Sequence, residues 1–249
     1  MLKVGGSSGD CISSKAIPLL LGFGAGCAAT FAIFGHRHKR SPSVRKTVAD
    51  GVQIDHKFNK DSALIVIDFQ KEYVSEGTAC NMLETFPCLQ RNVSNVLACA
   101  RERNLEIIFV RQDESGFQNF WPWWTQLHPA ATLFDAPPRA EPWACEQLSE
   151  VSNEHVFIKT SFDCFTTTPM HSHLQQRAKK RVYLMGCLTK ACVMQTAHSA
   201  FNLGYEVFVL EDCCGDTSVQ DHEAALNLYN GYNICVVKSQ DCFGDLLYQ

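Results

Sequence analysis

Residues 62–70 read Ser-Ala-Leu-Ile-Val-Ile-Asp-Phe-Gln, and an unbroken apolar run that ends on a carboxylate leaves few architectures open. A strand that is apolar on both sides needs cover on both faces, as in a parallel sheet held between helices. Comparable runs recur near 104–111, 154–158, 181–186, 205–211 and 231–237. Segments with helical spacing of apolar residues fall between them near 86–103, 190–203 and 219–229. Strands alternating with helices predict an α/β fold in three layers, αβα, around a six-stranded, mostly parallel, Rossmann-like sheet with right-handed crossovers. Residues 59–249 suffice for one such domain, and no internal repeat or low-complexity tract interrupts them.

Three polar residues stand at the ends of these runs. Asp68 closes the first strand, where open α/β sheets place their ligands. Lys159 closes the run Glu154-His-Val-Phe-Ile158 and leads into Thr160-Ser-Phe-Asp-Cys-Phe165. Cys192 lies in Gly186-Cys-Leu-Thr-Lys-Ala-Cys-Val193, directly after the strand 181–186 and at the start of a helix whose apolar residues are Val193, Ala197, Ala200 and Phe201 and which stops at Gly204. Thr189 is expected to be the N-cap, which puts Cys192 at the third helical position. The free N–H groups and helix dipole there favour a thiolate. Taken singly, each residue reads more readily as structural, a buried cysteine or a charge where the chain emerges into solvent; the three in this order do not.

The N-terminal arm, residues 1–58, has a different character. It is uncharged from 16 to 35, about the length an α-helix needs to cross a hydrocarbon core. His36-Arg-His-Lys-Arg40 and a Ser-Pro-Ser linker follow. This predicts a hydrophobic transmembrane helix at 16–35 that anchors the chain, with a polar tether up to residue 58. Gly22 and Gly26 form a GxxxG pair that could bring two such helices together. The basic C-terminal flank predicts that the domain following it lies on the cytosolic side. A cleaved signal or transit peptide, giving a secreted or organellar protein, is the alternative, because Gly26-Cys-Ala-Ala29 resembles a small-residue cleavage site.

Residues 1–50 hold seven Lys or Arg against two Asp. Of the chain's 22 basic and 26 acidic residues that leaves fifteen against twenty-four for the remainder, an acidic body that argues against nucleic acid as a partner. The thirteen cysteines are odd in number, scattered and without a Cys-x-x-Cys pair. That pattern fits free thiols in a reducing compartment better than disulfides or zinc.

Four blocks together, ALIVIDFQ around Asp68, FIKTSFDCFTTTPM around Lys159, GCLTKACVMQTA around Cys192 and EDCCGDTSVQDHEAALNLYNGY from Glu211 to Tyr232, resemble the isochorismatase-like cysteine hydrolases. That group includes nicotinamidases, N-carbamoylsarcosine amidohydrolase and ureidoacrylate amidohydrolases. The resemblance implies an Asp68–Lys159–Cys192 triad that hydrolyses a small amide or ureide C–N bond through a thioester on Cys192. Asp68 would serve as general base and acid and Lys159 would hold the charges. It also implies an oxyanion hole from the backbone N–H groups of Leu188 and Cys192, with a cis peptide before Leu188.

The metal-binding branch carries Asp-x-His, whereas Asp113-Glu-Ser115 has no histidine two residues on and His128 alone cannot complete the set, so no metal and no cofactor are expected. The branch that cleaves the vinyl ether of isochorismate lacks the cysteine. Its chemistry remains an alternative, as does a non-catalytic, membrane-tethered binding protein on the same scaffold. The usual Ser-Ala-Phe near the lysine appears here as Asp163-Cys-Phe165. Gln70, Trp121, Trp124 and Phe165 are candidate substrate contacts, the tryptophans in a connection of some forty residues long enough to be a lid or a subunit contact. His222 reads as a surface residue, and a homo-oligomer is expected.

Overall fold

The computed structural model describes residues 54–75, 80, 82–113, 122–127 and 149–244. The six strands are β1 (Ser62–Ile67), β2 (Glu106–Gln112), β3 (His155–Lys159), β4 (Arg181–Cys187), β5 (Glu206–Gly215) and β6 (Cys235–Val237). The helices are α1 (Lys71–Val74), α2 (Met82–Thr85), α3 (Leu89–Glu102), α4 (Pro122–Leu127), α5 (Met170–Gln176), α6 (Met194–Asn202), α7 (Val219–Tyr229) and α8 (Ser239–Phe243). A π-helical turn, Thr189–Val193, precedes α6.

Strand alternation builds the layers. Leu64, Val66, Ile107, Phe109, Tyr183, Met185, Phe208 and Leu210 face one way and pack with Val93, Val96, Leu97 and Ala100 of α3 and Cys242 and Phe243 of α8. Ala63, Ile65, Ile67, Ile108, Val110, Val182, Leu184, Val207 and Val209 face the other way and pack with Met170 and Leu174 of α5, Ala197 and Ala200 of α6 and Leu226 of α7. A period of two in the strands thus fills two cores, one on each face, and the three-layer αβα expectation holds. Every strand pairing is parallel.

The sheet order is β3-β2-β1-β4-β5-β6. The chain moves outward from β1 to β3 and then returns to lay β4 on the other side of β1, so the order reverses between β1 and β4. The crevice outside the carboxyl ends of strands at such a reversal is where open α/β sheets bind ligands. Gly186 allows β4 to close on β1: its φ is +123°, and a Cβ there would lie 1.9 Å from the Ile67 carbonyl oxygen.

The expected hydrophobic helix at 16–35 lies outside the described residues, as does the tether up to residue 53. Among the described residues no helix is long and apolar enough to cross a membrane.

Candidate active site

Asp68 follows β1 directly and has φ 50°, the left-handed region that Asp tolerates better than most side chains. Its N–H still donates to Val110 O at 3.0 Å, so the residue remains tied to the sheet as the chain turns away. Its side chain is buried, and Oδ2 lies 2.7 Å from Lys159 Nζ, which is itself fully buried. Lys159 Nζ also donates to Gln112 Oε1, to Ser161 O at 3.0 Å and to Cys192 Sγ at 3.4 Å. The three residues singled out on three separate apolar runs therefore meet around one ammonium group.

Cys192 is held by its backbone turn. The Cys187–Leu188 peptide is cis. Leu188 O then accepts from Ala191 N at 3.1 Å and from Val193 N at 3.2 Å, the second closing the wide π-helical turn. Asp216, buried at the end of β5, accepts from Lys190 N through Oδ2 at 2.7 Å and from Thr217 N through Oδ1 at 2.7 Å. Thr189 is not the N-cap. Leu188 occupies that position without a side-chain cap, and Thr189 Oγ1 instead donates to Gly215 O at 3.0 Å and pairs with His222 Nδ1 at 2.8 Å. A buried hydroxyl takes the buried partners within reach in preference to a backbone N–H of its own turn. Cys192 accordingly falls fourth in a π-turn and not third in an α-helix. His222 is likewise buried, not on the surface, with Phe86 5.1 Å from its ring.

The electrostatics differ from those of a thiol exposed at a helix start. Burial pushes the Cys192 thiol well above its ordinary range; Lys159 pulls it down, and Asp68 pushes it further up. Burial also raises Asp68, against the lowering effect of Lys159. For Lys159 burial works toward neutrality, but Asp68, Cys192 and Cys164 outweigh it and its pKa is raised. A thiol raised in this way is not the free thiolate that the helix-start argument anticipates. Both Asp68 carboxylate oxygens are buried and accept no hydrogen bond of normal geometry among the described residues, so the ion pair with Lys159 is what holds the side chain.

The candidate substrate contacts fare differently. Gln70 is buried with its amide engaged: Oε1 accepts from Gln112 N at 2.6 Å and Nε2 donates to Gln112 O at 3.3 Å. It clamps the end of β1 to the end of β2. Phe165 stacks on Tyr205, with ring centroids 6.1 Å apart. Trp121 lies outside the described residues, and Trp124 is in α4 with its side chain outside them. Among the described residues no group of three His, Cys, Asp or Glu could hold a metal ion, and His128 lies outside them. Gln112, Ser161 and Asp216 escaped the sequence reading. The last two are loop polar residues with no distinguishing spacing, whereas Gln112 carries a signal in retrospect, an amide at the end of an otherwise apolar strand.

Comparison with known proteins agrees with the fold. Residues 62–241 match the isochorismatase domain. The chain is 26% identical over 197 residues to a secreted isochorismatase effector of Verticillium dahliae, an overlap of 79% of this chain and 93% of the relative. It is 25% identical over 191 residues to maleamate amidohydrolase of Pseudomonas putida, covering 76% of this chain and 88% of the relative. A cysteine hydrolase from Pseudomonas syringae pv. phaseolicola superposes with a TM-score of 0.67 at 19% identity, over 79% of this chain and 98% of that one, a likeness of fold alone.

Proposed function

This chain belongs to the isochorismatase family of hydrolases, and we propose that it cleaves the C–N bond of a small amide or ureide through a thioester on Cys192. The observation that carries this reading is the meeting of the Asp68 carboxylate and the Cys192 thiol on the buried Lys159 ammonium, at 2.7 and 3.4 Å. A binding module has no use for a reactive thiol, a proton acceptor and a fixed cation in one place. The maleamate amidohydrolase named above supplies a relative whose name states amide hydrolysis.

In the first half-reaction Asp68 takes the proton from Cys192 Sγ, and the sulfur attacks the substrate carbonyl carbon. Lys159 offsets the charge left on the sulfur. The N–H groups of Leu188 and Cys192 are the proposed donors to the oxyanion. Their neighbours are engaged elsewhere, Lys190 N by Asp216 and Ala191 N and Val193 N by Leu188 O. Collapse of the tetrahedral intermediate breaks the C–N bond, and Asp68 returns the proton to the leaving nitrogen. In the second half Asp68 takes a proton from water, the hydroxide attacks the thioester carbonyl, and the sulfur leaves and recovers the proton. The raised pKa values of Asp68 and Cys192 suit a direct transfer between them better than a preformed thiolate.

A panel of primary amides, ureides and isochorismate given to the full-length chain tests the proposal. Turnover of an amide or ureide, lost in Cys192→Ser and Asp68→Asn with the fold retained, is the expected result. Turnover of isochorismate alone, insensitive to Cys192→Ser, would move the chain to vinyl-ether chemistry.

A further inference from the structure

Lys159 ends β3, and β2 stands between it and the strand that carries Asp68. Neighbouring strands lie about 4.8 Å apart, so β3 and β1 are separated by roughly 10 Å, and the lysine must cross the end of β2 to reach its partner. A long side chain spanning such a gap has many rotamers to lose, and an ammonium at its tip favours whichever acceptor is nearest.

The end of β2 is where the crossing is held. Gln112 is the parallel-register partner of Lys159 in the β2–β3 pairing. Its Oε1 accepts from Lys159 Nζ, and its Nε2 donates to Lys159 O at 3.2 Å and to Asp113 O at 3.2 Å. Both ends of one amide therefore grip the same lysine, by its tip and by its backbone. Gln112 is held in turn by Gln70, which brackets its backbone N–H and C=O. Two glutamine side chains join the carboxyl ends of β1, β2 and β3 across the sheet.

We propose that Gln112 is a positioning residue that aims the Lys159 ammonium at both Asp68 and Cys192. The assignment rests on the reading of Cys192 as nucleophile. A neutral acceptor is what the position requires. It holds the ammonium without adding a charge, so the full positive charge of Lys159 is felt by Asp68 Oδ2 and Cys192 Sγ. The charged and titratable groups around the ammonium are Asp68 from the end of β1, Cys192 from the π-turn and Cys164 from the loop after β3, and Asp113 is the next residue after Gln112 at the end of β2. Without Oε1 the ammonium turns toward Asp68 and Ser161 O and away from the sulfur.

Alkylation of Cys192 by iodoacetamide, located by tandem mass spectrometry in the full-length chain and followed across the neutral to alkaline range, reads this without a known substrate. Gln112→Met keeps the volume and removes the acceptor. Gln112→Glu keeps an acceptor and adds a negative charge beside the ammonium. Each is expected to slow Cys192 alkylation at neutral pH about tenfold and to move its midpoint upward by about one unit, with the thermal midpoint of the protein little changed.

A profile in both variants that overlays the wild type, while Lys159→Met shifts it, would overturn the role of Gln112 and leave the triad standing. If Lys159→Met also leaves the profile unmoved, the reading of Lys159 and Cys192 as partners fails, and the role of Gln112 with it. Should Gln112→Met fail to fold, seen as alkylation of all the buried cysteines together, Gln112→Glu decides the question on the same two outcomes.

Discussion

Thr189 Oγ1 lies 2.8 Å from His222 Nδ1 while donating its only proton to Gly215 O. The hydroxyl must therefore accept from the imidazole, which assigns the proton of His222 to Nδ1. Burial lowers the pKa of this histidine, so it is neutral near pH 7 and serves as a strut between α7 and the turn that carries Cys192. Thr189→Val keeps the shape and strands both partners. The expected cost is about 1–3 kcal/mol of stability, together with a lower kcat. Thr189→Ser should retain most of both, and urea denaturation with steady-state kinetics on the two variants checks the pair.

Removing the Lys159 ammonium leaves the Asp68 carboxylate buried without its cation. Lys159→Met should destabilise the fold by about 3–5 kcal/mol and abolish turnover. The double change Lys159→Met with Asp68→Asn should recover most of the stability and none of the activity. Denaturant midpoints of the three variants, set beside their rates, separate the two effects.

Alkaline pH should weaken the fold. Burial pushes Cys164 up to about 12, raises Cys187 and Cys213 well above the ordinary thiol range, and raises Cys214 as well. In the unfolded chain these thiols ionise near about pH 8.5. Their folded pKa values are the higher ones, so their contribution is fully present below that pH and is lost as pH rises toward the folded values. Each thiol can remove up to about 1.4 kcal/mol per pH unit in that window. Urea unfolding under reducing conditions at a series of alkaline pH values should give a falling free energy, and Cys164→Ala should make the fall shallower.

Gly186→Ala should not yield a folded protein. The added methyl would sit 1.9 Å from a backbone oxygen of β1, at a φ that L side chains rarely adopt. Relief would require separating β4 from β1, at a cost of more than about 3 kcal/mol. Expression with circular dichroism suffices as the check. A folded, active variant would mean that the β1–β4 contact is looser than described.

Exhaustive chelation should leave turnover unchanged, since Asp113 lacks the histidine two residues on that a metal-binding relative would carry. Activity lost to chelator and restored by one divalent ion would reverse this expectation.

The layers were legible in the residues because strand burial has a period of two and helix burial one of 3.6, and neither needs tertiary knowledge: Leu64 and Ile65 part to opposite cores exactly as alternation demands. The meeting of Asp68 and Cys192 could be anticipated from their places at strand ends. How Lys159 reaches them could not, because strand order is a non-local property and nothing in the run at 154–159 states that β2 intervenes. That Gln70 ties the end of β1 to the end of β2 is not legible in the sequence, since an amide side chain offers the same donor and acceptor to a ligand or to a neighbouring backbone. Thr189 misled for a related reason. Its sequence position suits a cap, but its hydroxyl is claimed by Gly215 and His222, which arrive from β5 and α7.

The parallel register has a consequence for how such a chain can vary. Gln112 pairs with Lys159, and Ile67 pairs with both Val110 and Gly186. Because side chains alternate, a slip of a single residue in any of these ladders turns the relevant group to the opposite side of the sheet. Residues gained or lost in the long connection between β2 and β3 leave every one of these pairings untouched. A single residue inserted within β2 or β3 would barely alter composition or hydrophobicity, yet point the glutamine or the lysine into the wrong helix layer. Length variation among descendants of this sequence should therefore be confined to the loops beyond the strand ends, with the spacing inside each strand behaving as a reading frame.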